Sequence, residues 1–433
     1  MWSSTDLYLR FFQRSLVPGL PGVLVLTETA LPVYQYWSVG ARGVDGVLNQ
    51  GGVSLQFSGW GSFQAAPLQG AQRLDGELNA ANLTQSFGWG ELTLGRQIAT
   101  GGAARYVRFD GGQLQSREVA LGMAWSARLG VYGGFTVLPR WNQRQHYLYA
   151  GAVTSELLRD PSVLESTVRA RHTVVGANAN VAYRSAVRLG LSYHDQRAEG
   201  EVARRSLGLE LDASPHQRVQ VSGRALLDTD SARFADARLF VDVEANEAWL
   251  VSLEYLHAKP ALLLSQTSVL SVFAQDAFDE LGAEVSYRPM SFLTFRASGY
   301  GQRFAEQELG GRGQLQVRAQ LDEAHRTETQ LSYARVVVPE GGYHSLRNSL
   351  LQRWTPQWYS SAELFHYFYD APIRGYRSSV WYALSVGCRL AREWSLNWAA
   401  SYSQNPYASA DLQTTLRLAY RYPGSDVSLG GMP

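Results

Sequence analysis

Lysine is almost missing from this chain: Lys259 is the only one, and arginine supplies the rest of its 39 basic residues. Cysteine is as scarce. Cys388 stands alone, which excludes an internal disulfide, a C-x-x-C zinc or redox pair and a C-x-x-C-H haem attachment. Charged residues make up 18% of the 433, where soluble domains average about a quarter. The 38 acidic residues leave a net charge of +1, so nothing here attracts nucleic acid or an anionic membrane surface. No run of about 18 apolar residues occurs, so a transmembrane helix is not expected. No basic, apolar and small-residue leader opens the chain either. An exported protein is therefore expected here in its mature form behind an added Met1. The nucleophile elbow, the P-loop and H-E-x-x-H are absent, and the eight histidines are scattered. Asp228-Thr-Asp230 begins like a calcium loop but lacks the glycine and the closing glutamate, and reads as a polar turn. His194 and His257 are the histidines on which a hydrolase site at a barrel rim would have to be built. The expectation is no catalysis, no cofactor and no metal.

Aromatics reach 12%, with 23 Tyr, 12 Trp and 16 Phe beside 41 Gly. They sit in segments that alternate strictly. QLQVRAQL (314–321) places Leu315, Val317, Ala319 and Leu321 on one side and Gln314, Gln316, Arg318 and Gln320 on the other. VRLGLSYH (187–194), LGLELD (207–212), VQVSGRA (219–225), ARLFVDVE (237–244), LGAEVSYR (281–288) and TLRLAYRY (415–422) repeat the pattern. Period-two patterning over so many segments predicts an all-β chain. No stretch carries a helical stripe of comparable length; the nearest, around 151–160 and 272–280, fall in predicted loops.

The links between segments differ in length. Short turns are predicted at 183–186, 212–218, 244–248, 287–291, 323–327, 353–357 and 392–394, and longer links at about 99–113, 140–167, 259–279 and 304–311. Short turns at one end and longer loops at the other describe an up-and-down meander closed through a bilayer. Strands of roughly ten residues, tilted by about 40°, cover about 25 Å, the height of an outer-membrane apolar band. Tyr183, Tyr287, Phe292, Trp354, Trp358, Tyr359, Trp394 and Trp398 flank the short turns, the place of an interfacial aromatic girdle. The fold expected is all-β: a single transmembrane antiparallel up-and-down β-barrel of about 22 strands, within about 18 to 26. It has no N-terminal plug domain, occupies residues 1–422 and leaves a C-terminal tail at 423–433.

The chain thus resembles Gram-negative outer-membrane β-barrels over nearly its whole length. Its last strand, with Leu416, Leu418, Tyr420 and Tyr422 alternating, resembles their C-terminal assembly signal, although PGSDVSLGGMP follows where such proteins usually stop. LGRQIATGGAARYVRFDGG (94–112) resembles a segment of alginate-export-type and related porins. The resemblance implies the Gram-negative outer membrane, the lipid bilayer and the barrel-assembly machinery as surroundings.

If the polar face lines a lumen, it brings together Arg188, Glu210, Arg224, Asp236, Arg238, Asp242, Glu254, Glu284, Arg296, Gln316, Arg318 and Arg389. These charges either pair between strands or set a transverse field across the pore. Arg105, Arg108 and Asp110 are the candidates for a loop that narrows it. Trp141, Arg144, His146 and Tyr147 belong to a second loop that folds inward or meets a partner. The functions in view are a porin-like channel for passive solute passage, a structural sheath around a lumenal or periplasmic partner such as a multihaem cytochrome, and a soluble all-β binding protein.

Overall fold

The computed structural model describes residues 2–16, 26–44, 52–65, 74–137, 172–184, 186–259, 277–304, 308–322, 326–338, 341–406 and 408–422. The loop with Trp141, Arg144, His146 and Tyr147, the stretch 151–160 and the tail 423–433 lie outside these residues.

The chain winds as one antiparallel meander. It opens with β1 (Trp2–Leu16), β2 (Leu26–Ala30), β3 (Pro32–Val44), β4 (Val53–Gln64), β5 (Leu74–Ser86), β6 (Gly90–Gly101), β7 (Arg105–Ser116), β8 (Val119–Ala120) and β9 (Trp125–Thr136). β10 (His172–Tyr183), β11 (Val187–Ala198), β12 (Glu201–His216), β13 (Val219–Asp228), β14 (Arg233–Asn246) and β15 (Trp249–Ala258) follow. β16 (Phe278–Met290), β17 (Leu293–Phe304), β18 (Leu309–Gln320), β19 (Thr327–Val338) and β20 (Gly341–Arg353) continue the wall. β21 (Trp358–Ile373), β22 (Tyr376–Arg389), β23 (Trp394–Asn405) and β24 (Ala408–Tyr422) complete it. β24 pairs back onto β1 from Ser3↔Tyr422 to Leu16↔Ala408, which closes the sheet and places both described ends of the chain at one rim. β2 and β3 pair in turn with the same strand, β1, and β7 and β8 with the same strand, β9. The 24 segments are therefore a closed barrel of 22 strands, and no helix occurs among the described residues.

The register shows why alternation builds this wall. Trp249↔Tyr287, Tyr287↔Phe295, Phe295↔Val317 and Val317↔Leu331 form one row, while Ser252↔Glu284, Glu284↔Ser298 and Ser298↔Gln314 form a row of opposite parity. A slip of one residue in any strand would exchange the two faces, so the sequence pattern pins the register. The apolar face is bare: Leu209 is 53% exposed, Leu253 50% and Leu315 60%, with no second layer over them. A soluble sheet would bury such a face, and a single-layered wall that leaves it uncovered has lipid as its compatible solvent. Closure leaves no free first or last strand, and apart from the β5 to β7 region the wall strands are paired on both sides along most of their length. This is the architecture of transmembrane barrels of the outer-membrane type.

At the rim that holds the chain ends, aromatic pairs stand on the apolar face: Trp125 with Tyr183 at 4.9 Å, Trp249 with Tyr287 at 4.2 Å and Trp394 with Tyr420 at 4.7 Å. Their rings suit the headgroup layer, as the aromatic flanks of the turns lead one to expect. Links at this rim are short throughout. The far rim mixes the two long intervals, between Thr136 and His172 and between Ala258 and Phe278, with turns as tight as Glu199–Gly200. The expected long link at 99–113 is a correction of this kind: it is strand on both sides of a turn at Gly102–Ala104. Apart from the short segments β2 and β8, strand lengths run from 10 residues in β13 to 16 in β12, longer in places than the roughly ten expected. A barrel closed in this way should resist dodecyl sulfate, so an unheated sample should run faster on a gel than a boiled one; identical mobility would count against closure.

Candidate functional site

The β6–β7 hairpin leaves the wall. β5 pairs with β6 only between Ser86↔Glu91 and Ala81↔Arg96, and β7 pairs with β9 only up to Phe109↔Thr136. Above those points the rungs Ile98↔Arg108 to Gly101↔Arg105 pair with one another, with the Val137 amide donating to the Arg108 carbonyl at their base at 2.7 Å. The ribbon end lies across the polar face of β11 to β14. The Gly102 amide donates to Glu210 Oε1 at 2.7 Å and the Ala103 amide to Ser192 Oγ at 2.7 Å. The Ala103 carbonyl accepts from Arg204 at 2.8 Å and from Ser206 Oγ at 3.1 Å. Arg105 reaches Asp236 at 2.8 Å, a carboxylate that also holds Arg224 at 3.1 Å.

Small residues make this approach possible. Gly102 has φ +51°, and a Cβ there would lie 2.3 Å from Ser192 Oγ; a Cβ on Gly208 would lie 2.6 Å from the Ala103 nitrogen. Ala103 is fully buried against Leu226 and Ala235. The root of the ribbon is packed by Phe109, Val107, Ala99, Ala104, Tyr132 and Val174, all buried. Burying one side chain of the size of Phe or Val contributes about 1.5–3 kcal/mol, and a neutral hydrogen bond about 1 kcal/mol. Apolar packing therefore fixes the root, and the polar bonds choose where the tip lands.

All twelve residues named from alternation lie on the face that the hairpin touches. Along one row Gly190 stands opposite Glu210, Glu210 opposite Arg224, and Arg224 opposite Arg238. Asp242 stands opposite Ser252, whose hydroxyl donates to it at 2.5 Å. Arg296 binds Glu284 at 2.9 Å and stands opposite Gln316, while Arg318 binds Glu328 at 2.8 Å. Glu254 shares a hydrogen bond with Tyr300. Arg188 stands opposite Asp212, and Arg389 ends β22 opposite Ser395. The charges thus pair mainly with neighbours on the same wall. Alternation alone missed further such pairs: Arg312 with Glu280 at 2.8 and 3.0 Å, Arg347 with Glu363 at 3.4 Å and Arg417 with Asp6 at 2.8 Å.

The three residues named for a narrowing loop are not brought together. Arg105 points to Asp236, whereas Arg108 and Asp110 have the opposite parity on the ribbon. Arg108 is buried on Glu77 and Asn79, and Asp110 forms a two-pronged pair with Arg96, both bonds 2.7 Å. Arg204, Ser192, Ser206 and Gly208, which receive the tip, were invisible to the sequence reading. The only signal for them is a glycine inside the Leu/acid alternation of LGLEL facing a Gly-Gly-Ala-Ala turn.

Away from the hairpin the same face carries an aromatic stripe. Phe365 meets Trp381 edge-on at 5.4 Å, Tyr367 meets Tyr343 at 5.6 Å, and Arg347 lies 4.6 Å above Phe365. His194 Nδ1 bonds the Tyr132 hydroxyl at 2.9 Å, while His257 bonds Asp279 at 2.9 Å on the apolar face, so the two histidines cannot share a site. Among the described residues no three His, Cys, Asp or Glu side chains gather as a metal site.

No protein-family model and no curated protein matches the sequence. Solved structures that resemble the chain include the P pilus usher (PapC) translocation pore, 8% identical with TM-score 0.48 over 98% of this chain and all of that one. Pseudomonas aeruginosa OpdO is 10% identical with TM-score 0.45, covering 97% of this chain and 96% of its own. Acinetobacter baumannii OccAB1 is 8% identical with TM-score 0.42 over the same shares. At such identities nothing about cargo or partner passes from those proteins to this one.

Proposed function

We propose that this chain is a porin-like channel of the Gram-negative outer membrane. Its polar face lines a water-filled lumen, small solutes cross passively, and the β6–β7 hairpin narrows the passage. The observation that carries this reading is the pairing of a closed, continuous polar face with a hairpin laid across that face, while the opposite face stays apolar and bare. The hairpin tip covers β11 to β14 and leaves the polar face of β15 to β24 free of it, which supports an open path. Arg188, Glu210, Arg224, Asp236, Arg238, Asp242, Glu254, Glu284, Arg296, Gln316, Arg318 and Arg389 are then lumenal. Arg105, rather than Arg108 or Asp110, is the member of the narrowing set that stands at the constriction. The bilayer meets the apolar face, and the last strand with Leu416, Leu418, Tyr420 and Tyr422 is the segment offered to the barrel-assembly machinery.

One observation favours a second reading, a sheath around a partner such as a multihaem cytochrome. The aromatic stripe of Phe365, Tyr367 and Trp381 on the polar face suits a protein surface as well as a solute. The bare apolar face argues against a soluble binding protein. Planar-bilayer recording separates the first two: the purified chain should carry large, stable currents as a channel. Silence of the isolated chain, with a red haem-bearing subunit co-purifying from membranes, would favour the sheath.

A further inference from the structure

Beneath the hairpin lies a cavity of about 280 Å³, closed by Gly101 and Gly102 and floored by β7 and β9 to β12. Its polar lining includes Gln113, Gln115, Asn178, Asn180, Ser192 and Glu210; among the described residues Glu210 is its one carboxylate, and no arginine lines it. Arg224, opposite Glu210 in register, is held by Asp236, and Arg128, opposite Asn180, is not among the lining residues. Glu210 uses Oε1 for the Gly102 amide. Its Oε2 and Asn180 Oδ1 converge over Gly190, where a Cβ would lie 3.3 and 2.9 Å from them. Asn178 Oδ1 is buried without a hydrogen-bond partner but lies apart from this pair, toward β9, where a Cβ on Gly130 would be 2.7 Å from it. On the hairpin side the cavity is apolar at Ala99 and Ala104.

We propose that this cavity binds the primary ammonium group of a small solute, its nitrogen over Gly190 between Glu210 Oε2 and Asn180 Oδ1 and its alkyl part toward Ala99 and Ala104. An ammonium group has three donors and no acceptor, which suits two converging acceptor oxygens with one donor left to water. The bond to Glu210 is charge-assisted, and an anion would meet an uncompensated carboxylate with no cation in the lining. A neutral alcohol offers one donor and no charge. The site rests on the proposed channel only in that the polar face must meet water.

The test is a titration of the full-length protein in detergent micelles with n-butylammonium chloride, read by saturation-transfer NMR, with butyrate and 1-butanol as controls. Saturable binding with half-saturation on the order of millimolar is expected for butylammonium and for neither control. Glu210→Gln, which keeps an oxygen for the Gly102 amide, should weaken binding about tenfold. Gly190→Ala, which adds a methyl where the nitrogen approaches, should abolish it while both variants keep the gel mobility of the closed barrel. Equal binding of butyrate or butanol, no saturation by butylammonium, or indifference to Glu210→Gln would overturn the proposal. Current in planar bilayers without butylammonium binding removes this site alone, and binding without current removes the channel alone.

Discussion

Gly102→Val should raise single-channel conductance by roughly two- to threefold, because it forces the hairpin off the wall and out of the conducting path. The substitution acts twice. A β-branched side chain is strained at φ +51°, and its Cβ would sit 2.3 Å from Ser192 Oγ, well inside contact distance. The bonds from Gly102 and Ala103 to Glu210 and Ser192 are lost together, since the tip cannot retreat and keep them. Gly208→Ala tests the same contact from the wall, where no unusual backbone angle complicates the result: its methyl would meet the Ala103 nitrogen at 2.6 Å. Gly299→Ala is the control, since a Cβ there meets nothing within 4 Å. The expected pattern is wide, noisier channels for both hairpin variants and wild-type current for the control. Wild-type current in Gly102→Val, with the closed-barrel gel mobility retained, would mean that the hairpin does not limit conduction. Phe109, Val107 and Tyr132 keep the root of the ribbon packed, so the barrel itself should survive the loss of the tip contacts.

The wall was legible because a strand has two faces and the register repeats every second residue. Leu209, Leu253 and Leu315 alternate with Glu210, Glu254 and Gln316 in sequence, and pairing with either neighbour preserves the alternation, so face and fold class followed from the letters. The 22 strands followed from counting such segments. The hairpin was legible only in part. The Gly-Gly-Ala-Ala run marks 99–113 as a link that could narrow the lumen, but that it is a paired ribbon leaving the wall is decided by the lateral partners it lacks, which depend on where β5 and β9 stop pairing with it. That is information at a distance of tens of residues. Arg105, Arg108 and Asp110 were grouped because they are close in sequence, yet odd and even positions of a ribbon face opposite ways, and Arg108 pairs with Glu77 while Arg105 pairs with Asp236. The acceptors of the tip, Ser192 and Glu210, belong to strands whose own pattern is unremarkable. Only the coincidence of a Gly-Gly-Ala-Ala turn with Gly208 carries a trace of the contact.

A charge placed on the bare face should be the most damaging single change to the barrel itself. Leu315→Arg is expected to destabilise it by about 2–4 kcal/mol, the range for a cation near the bilayer midplane, whereas Gln316→Arg should fall within about 0.5 kcal/mol of wild type. The two positions are adjacent in β18, share its backbone pairing and differ in face: Leu315 stands between Ala297 and Tyr333, and Gln316 between Arg296 and Ser332. Backbone propensity and strand position are therefore held constant, and what remains is the medium each side chain enters. In water both substitutions would be mild, because Leu315 is already 60% exposed and its arginine would be freely solvated. In lipid the arginine at 315 must drag its hydration with it or snorkel to an interface, while the one at 316 enters a polar row whose neighbour Arg296 is already held by Glu284. Equilibrium unfolding in urea from lipid bilayers measures the difference. A cost at 315 and none at 316 fixes the apolar face as the lipid face and leaves the polar face to the lumen; equal costs at both would undo that assignment and, with it, the channel.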